Sequence, residues 1–128
     1  MLARKALQAY SSNKAHGDIA DASPHQLILL LMKAAIDRMN FAKGAILRVE
    51  IENRSKQINK AIDIISALKN GLDFEEGGEI AKNLDNLYTY ILIQLTKANS
   101  ENCPHIIQEC LELITTVKEG WEQIGPQV

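Results

Sequence analysis

Apolar residues recur at intervals of three and four positions along most of the chain beyond residue 22. This spacing puts them on one face of an α-helix, so the pattern predicts amphipathic helices rather than strands. The predicted helices cover residues 24–47, 52–70, 78–98 and 104–124. Because the connections are short, consecutive helices should be antiparallel neighbours. The sequence therefore predicts an all-α fold, an antiparallel up-down four-helix bundle.

Residues that favour helix ends stand at several of the predicted boundaries. Ser23 and Gln26 have the spacing of a capping box at the start of the first helix. Gly71 follows the last turn of the second helix, a position whose left-handed backbone favours glycine. The acidic stretch 73–79 is interpreted as a loop that leads into the third helix near Gly78, where negative charge suits the helix dipole.

Residues 1–21 differ from the rest of the chain because they are polar and locally basic. They carry Arg4, Lys5 and Lys14, and no acidic residue precedes Asp18. Apolar residues still recur at helical intervals, namely Leu2, Ala6, Leu7 and Tyr10. An isolated helix of this length is marginal in water. We therefore predict a mobile N-terminal arm or short cap helix (1–21) that docks on a bundle formed by residues 22–128.

Composition and charge exclude several classes of function. With 14 basic and 16 acidic residues, the chain lacks the basic excess of a dedicated nucleic-acid-binding protein. The longest unbroken apolar run, Leu27–Met32, is far shorter than the roughly 20 residues that cross a bilayer. Cys103 and Cys110 lie too far apart on one helix to pair, so we interpret them as free thiols in a reducing compartment. We predict a cytosolic protein with no nucleic-acid partner and no membrane insertion.

No pattern of catalytic or metal-binding residues stands out. No Glu is followed by His at the spacing of a di-iron site, and Cys103 with His105 lacks the second pair that zinc requires. No serine or cysteine has a recognisable base and orienting group. The Gly77-Gly78 pair is not followed by the Gly-Lys-Ser/Thr of a phosphate-binding loop. We predict a protein that is not an enzyme, with no cofactor, no metal and no small-molecule substrate.

Apolar residues outside the main stripes predict a binding surface. A helix in a small bundle needs about a third of its circumference for the core. The residues beyond that share are Ile28, Leu29, Met32 and Ile36 in the first helix, Tyr90, Leu92 and Ile93 in the third, and Ile106 and Leu113 in the fourth. The surplus indicates either a groove that an amphipathic helix could enter or a wide core with scattered exposed apolar residues.

A series of short motifs runs in order along almost the whole chain. It comprises Ala9-Tyr10, Ala22-Ser23-Pro24-x-x-Leu27-Ile28, Gly71-Leu72-Asp73, Gly77-Gly78-Glu79-Ile80-Ala81-x-Asn83-Leu84, Leu87-Tyr88-x-Tyr90, Ala98-Asn99 and Trp121-Glu122. This series resembles the family of flagellar secretion chaperones called FliS. The resemblance implies an antiparallel four-helix bundle with an N-terminal cap. It further implies a cytosolic chaperone that binds the disordered C-terminal segment of flagellin, blocks premature polymerisation and delivers flagellin to the flagellar type III export apparatus.

The resemblance also implies which residues bind the partner. Tyr10 would anchor the arm over the groove. The positions that would line or support the apolar surface are Ile80, Ala81, Leu84, Leu87, Tyr88 and Ile91, and those that would shape its edge are Asp73, Glu79 and Asn83. For each apolar position, a place in the bundle core is the competing interpretation.

Two considerations stand beside this resemblance. Members of the family commonly carry a Leu-Tyr-Asp-Gly-Ala type of stretch in the first helix, where this chain has Leu31-Met32-Lys33-Ala34-Ala35. Contacts from the first helix to a partner are therefore not carried over.

The alternative function is a helical regulatory adaptor that binds a folded partner, such as an anti-sigma factor or a two-component protein. The two functions differ in the state of the ligand, which is a disordered tail for the chaperone and a folded domain for the adaptor.

Overall fold

The structure, a computed structural model, describes residues 22–125 of the chain. In this part of the chain α1 spans Pro24–Leu47, α2 spans Ile51–Asn70, α3 spans Phe74–Glu101 and α4 spans Pro104–Ile124. The described residues contain helices and turns but no strand. The predicted all-α four-helix bundle is confirmed, whereas the predicted arm lies outside the described residues.

The helices form a closed ring in which each packs against two others. α1 contacts α2 and α4, and α3 also contacts α2 and α4. Side-chain pairs show that neighbours run in opposite directions: His25 near the start of α1 contacts Trp121 near the end of α4, while Lys43 later in α1 donates to Gln108 early in α4. The bundle is therefore antiparallel, as its short turns require.

The core lies along the axis of this ring and is filled by every helix. Its largest fully buried side chains are Leu27, Leu31, Met32 and Met39 of α1, Ile58 and Ile65 of α2, Tyr88, Ile91 and Leu95 of α3, and Ile107, Cys110 and Ile114 of α4. Each large aliphatic side chain buried in this way stabilises the fold by about 1.5–3 kcal/mol relative to exposure. The bundle is held mainly by this burial, because the described ion pairs lie at the surface.

The start of α1 and the end of α2 show how local sequence determines where a helix begins and ends. The N–H of Gln26 donates to Ser23 Oγ at 3.2 Å and the N–H of Ser23 donates to Gln26 Oε1 at 2.9 Å, which completes the predicted capping box. The prediction of a left-handed backbone at Gly71 is wrong, since the φ of this residue is −87°. Glycine is instead favoured there by close approach, because an added Cβ would lie 3.3 Å from the carbonyl oxygen of Ala67.

The start of α3 differs from the prediction by one turn. The helix begins at Phe74 rather than near Gly78, because Asp73 Oδ1 accepts from the backbone N–H groups of Glu75 at 3.0 Å and Glu76 at 3.1 Å. Gly78 has non-helical angles, with φ 50° and ψ −126°, and kinks the helix. The glycine that predicted a helix start therefore marks a break inside α3, and the acidic segment before it is helical rather than a loop.

Candidate functional site

A row of accessible apolar side chains lies on the N-terminal half of α3. Ile80, Leu84 and Leu87 stand at positions i, i+4 and i+7, which share one helix face. Ile80 is 65 % exposed, and Leu84 and Leu87 are half-buried against the core. We call these three residues the α3 strip. It offers apolar surface to a partner without any change in the bundle.

The other three apolar site residues predicted on α3 lie beneath this strip. Ala81, Tyr88 and Ile91 are buried in the core. Burial raises the pKa of Tyr88 to about 12, so its phenol stays neutral in water at ordinary pH. In the described bundle these side chains support the α3 strip from behind rather than facing solvent.

The predicted polar edge of the site is exposed and acidic. Asp73, Glu79 and Asn83 are all accessible to solvent. Asp73 also caps the first turn of α3, so its carboxylate has a structural duty. Sequence reasoning missed Phe74, which is 53 % exposed beside this edge. An aromatic residue inside an acidic segment was the available signal.

The boundary between α3 and α4 is the least extensive helix contact in the ring. Leu113 and Val117 of α4 are half-buried against the core. Tyr90 Oη and Gln94 Nε2 both donate to Glu109 Oε1, at 2.9 Å and 3.2 Å, and the carboxylate raises the pKa of Tyr90. These bonds join α3 and α4 across the middle of the boundary. Gly120 near the end of α4 is exposed, and an added Cβ there would meet nothing within 4 Å.

A second depression runs between α1 and α4. It consists of two adjoining hollows of about 490 and 500 Å³ that share Ile36 and Thr115. Leu29 and Leu30 contribute apolar surface to one hollow and Leu111 to the other. The expectation that Met32 lies outside the core is wrong, because α1 packs against two helices and buries more of its circumference than a third.

One contact between the ends of α1 and α4 was not foreseen. The rings of His25 and Trp121 stack with centroids 5.0 Å apart and an interplanar angle of 13°. His25 Nε2 donates to the carbonyl oxygen of Trp121 at 2.8 Å, and Trp121 Nε1 donates to the carbonyl oxygen of His25 at 3.0 Å. His25 is therefore a buried residue that links the start of α1 to the end of α4.

The possible metal ligands and the cysteines of the described residues are not assembled into a metal site. Within residues 22–125 no group of three or more His, Cys, Asp or Glu side chains is arranged to hold a metal ion. Both cysteines are free, and burial raises the pKa of the Cys110 thiol to about 12, which suppresses its reactive thiolate. No described helix is long and apolar enough to cross a membrane. The predicted anchor Tyr10 lies outside the described residues.

A helical bundle that presents apolar side chains beside an acidic edge belongs to the class of protein-binding bundles. Comparison with known proteins assigns the family. The family described as flagellar protein FliS matches residues 6–128. The chain therefore belongs to the FliS family, which confirms the resemblance seen in its motifs. This is a family of chaperones and not of enzymes.

Similar proteins span nearly the same length. The flagellar secretion chaperone FliSB of Pseudomonas aeruginosa is 41% identical over 125 residues, which cover 98% of this chain and 99% of that protein. The flagellar secretion chaperone FliS of Vibrio cholerae is 39% identical over 124 residues, covering 97% and 91%. That of Salmonella typhimurium is 36% identical over 128 residues, covering 99% and 95%. These relatives support an export-chaperone role with a protein partner related to flagellar export.

Proposed function

We propose that this chain binds the disordered C-terminal segment of flagellin in the bacterial cytoplasm. Binding prevents premature polymerisation, and the chaperone then delivers flagellin to the flagellar type III secretion apparatus. Membership of the FliS family supports the role. The observation that carries the choice of site is the α3 strip, whose Ile80 is 65 % exposed although it shares a helix face with half-buried leucines.

The α3 strip has the chemistry that a disordered partner requires. Such a partner loses conformational entropy when it becomes ordered, so it must bury much apolar area to bind at all. The strip supplies an apolar row that the i, i+3 and i+4 side chains of a folding helix can contact. The exposed Phe74 lies on the other side of the kink at Gly78 and adds apolar surface near the acidic edge. Asp73, Glu79 and Asn83 border it and favour polar or basic residues at the edge of the bound segment.

The proposed arm regulates access to this surface. Tyr10 anchors it over the apolar surface when no partner is bound, and the partner displaces it. If only a fraction of the chaperone is open, its apparent affinity falls in proportion to that fraction. This arrangement favours release of flagellin at the export apparatus.

Calorimetric titration tests the proposal. The titrant is a synthetic peptide of about 40 residues from the C-terminus of flagellin of the same organism, and the control is its scrambled sequence. We expect one-to-one binding with a large negative heat-capacity change, because apolar burial and coupled folding both lower the heat capacity. Absence of heat together with an unchanged melting temperature would contradict the proposal. Binding of a folded signalling protein instead would favour the adaptor function.

A further inference from the structure

The turn between α1 and α2 separates the two helices although its sequence contains neither glycine nor proline, the usual helix breakers. It consists of residues 48–50, Arg-Val-Glu. Val49 has a φ of 58°, a left-handed backbone that is rare for a β-branched residue. The N–H of Val49 donates to the carbonyl oxygen of Ile46 at 3.1 Å, and that of Glu50 to Ala45 at 2.8 Å. In this pattern of helix termination the position of Val49 is usually glycine.

The start of α2 is also weakly specified by its own sequence. Glu50 is the N-cap residue, but its carboxylate caps no backbone N–H of the first turn. Its carboxylate instead accepts from the side chains of Arg48, through Nε at 3.0 Å, and Asn53, through Nδ2 at 3.1 Å. The turn therefore lacks glycine, proline and a side chain that caps the backbone of α2, so packing of α1 against α2 contributes to maintaining the break.

The other two turns are specified in the ordinary way. The α2–α3 turn contains Gly71 and the N-cap residue Asp73. The α3–α4 turn contains Asn102, whose side chain tolerates its φ of 54°, and is followed by Pro104 at the start of α4. Among the three turns of the described bundle, the α1–α2 turn is thus the one whose residues suit a continuous helix.

Three residues at the α1–α2 turn also have exposed apolar side chains. Leu47, Val49 and Ile51 are each more than half exposed. If residues 48–50 were helical, Leu47 and Ile51 would stand four positions apart on one face of a single helix over residues 24–70. Where two such helices cross in a dimer, these side chains would cover one another. In the closed turn they face solvent.

We propose that the α1–α2 turn is a hinge through which two copies of this chain exchange α1 and form a domain-swapped dimer. Opening moves Val49 from the left-handed to the right-handed helical region. α1 then packs against α2 and α4 of the second copy through the same side chains that it uses in the closed chain. Short strained hinges favour such exchange, because the core contacts are recovered and the strain is released. The inference does not depend on which partner the chaperone binds.

Substitutions at Val49 separate backbone strain from apolar exposure. Val49→Gly removes the strain of the closed turn and disfavours the continuous helix, whereas Val49→Thr keeps a β-branched residue but makes it polar. The full chain is refolded at high concentration, and dimer is measured by light scattering after gel filtration. After dilution, the rate at which monomer appears is followed.

The wild type and Val49→Thr are expected to form a dimer that dissociates slowly, because release of α1 requires the core to open. Val49→Gly is expected to weaken the dimer about tenfold for each of its two hinges and to raise the melting temperature of the monomer. The proposal is overturned if no dimer forms on concentrated refolding, or if the dimer dissociates as soon as it is diluted. It is equally overturned if Val49→Gly leaves the dimer constant unchanged, or if Val49→Thr abolishes the dimer.

Discussion

Individual buried residues give the bundle a definite response to alkaline pH. Tyr88 and Cys110 are both neutral in the core, and burial raises each pKa to about 12 from ordinary values of 10.0 and 9.0. A group whose pKa is higher in the folded state stabilises the fold below its unfolded pKa. That contribution is lost as the pH rises towards the folded value. Stability should therefore fall between about pH 9 and 12.

This alkaline loss can be assigned to one residue by substitution. We expect the unfolding free energy of the wild type, measured by urea denaturation, to decline steeply above about pH 9. Cys110→Ala should decline less steeply, because one of the buried groups that must ionise is gone. Cys103→Ala is the control, since it leaves Cys110 in place. An equal slope in Cys110→Ala and the wild type would show that Cys110 ionises equally well in both states.

A second residue-scale prediction concerns the α3 strip. Ile80→Ser removes an exposed apolar side chain from the proposed surface, so binding of the flagellin peptide should weaken about tenfold without loss of stability. Ile93→Ser is a matched control, because Ile93 is 60 % exposed on the same helix but lies outside the strip. Calorimetric titration compares the two variants. Equal affinities would remove the α3 strip from the binding surface.

At the scale of the helices, the shape of α3 depends on two glycines, Gly77 and Gly78. Its kink needs the positive φ of Gly78, and Gly77 allows close approach, since an added Cβ there would lie 2.7 Å from that of Ala81. The kink sets the acidic first turn of α3, with Phe74, apart from the long regular helix that carries the α3 strip. Its geometry therefore shapes one end of the proposed site.

Two additions of a single methyl group test this view of α3 and α4. Gly78→Ala should destabilise the bundle by about 1–2 kcal/mol, because alanine is strained at a φ of 50°. Gly120→Ala should stabilise it by about 0.5–1 kcal/mol, because glycine weakens a helix interior and nothing lies within 4 Å of the added atom. Urea denaturation measures both. A neutral Gly78→Ala would mean that α3 becomes straight without cost.

The helices also show what the sequence could and could not predict. The capping box at Ser23 and the apolar period predicted α1 correctly because both signals are local. The start of α3 was predicted one turn late, since Asp73 and Gly78 each resemble a helix start and only the three-dimensional structure shows that one is a cap and the other a kink. The stacked and hydrogen-bonded pair of His25 and Trp121 could not be predicted, because the two residues are 96 positions apart in the sequence.

The same limit applies to the candidate site. The ordered motifs were sufficient to predict the family, and the spacing of Ile80, Leu84 and Leu87 placed them on one face. Their exposure could not be predicted, since it depends on how far neighbouring helices extend. Tyr88 and Ile91 lie in the same stretch of helix and are buried. Sorting surface from core within one amphipathic helix therefore required the packed structure.

At the scale of the whole molecule, we expect the bundle to fold without the predicted arm. Every described helix packs into a core formed by residues within the described part, so deletion of residues 1–15 should leave the bundle folded, as measured by circular dichroism. Because the proposed arm competes with flagellin, the truncated chain should bind the flagellin peptide more tightly. Unfolding of the truncated chain would show that the arm is part of the core, and an unchanged affinity would show that it does not cover the site.

The folded bundle is proposed to keep flagellin from polymerising by holding its C-terminal segment. Light scattering of purified flagellin monomers, seeded with filament fragments, measures this directly. We expect the wild-type chain to suppress growth at a one-to-one ratio, and Ile80→Ser to require a markedly higher ratio while Ile93→Ser behaves as the wild type. Unimpeded growth of filaments in an excess of the wild-type chain would contradict the account.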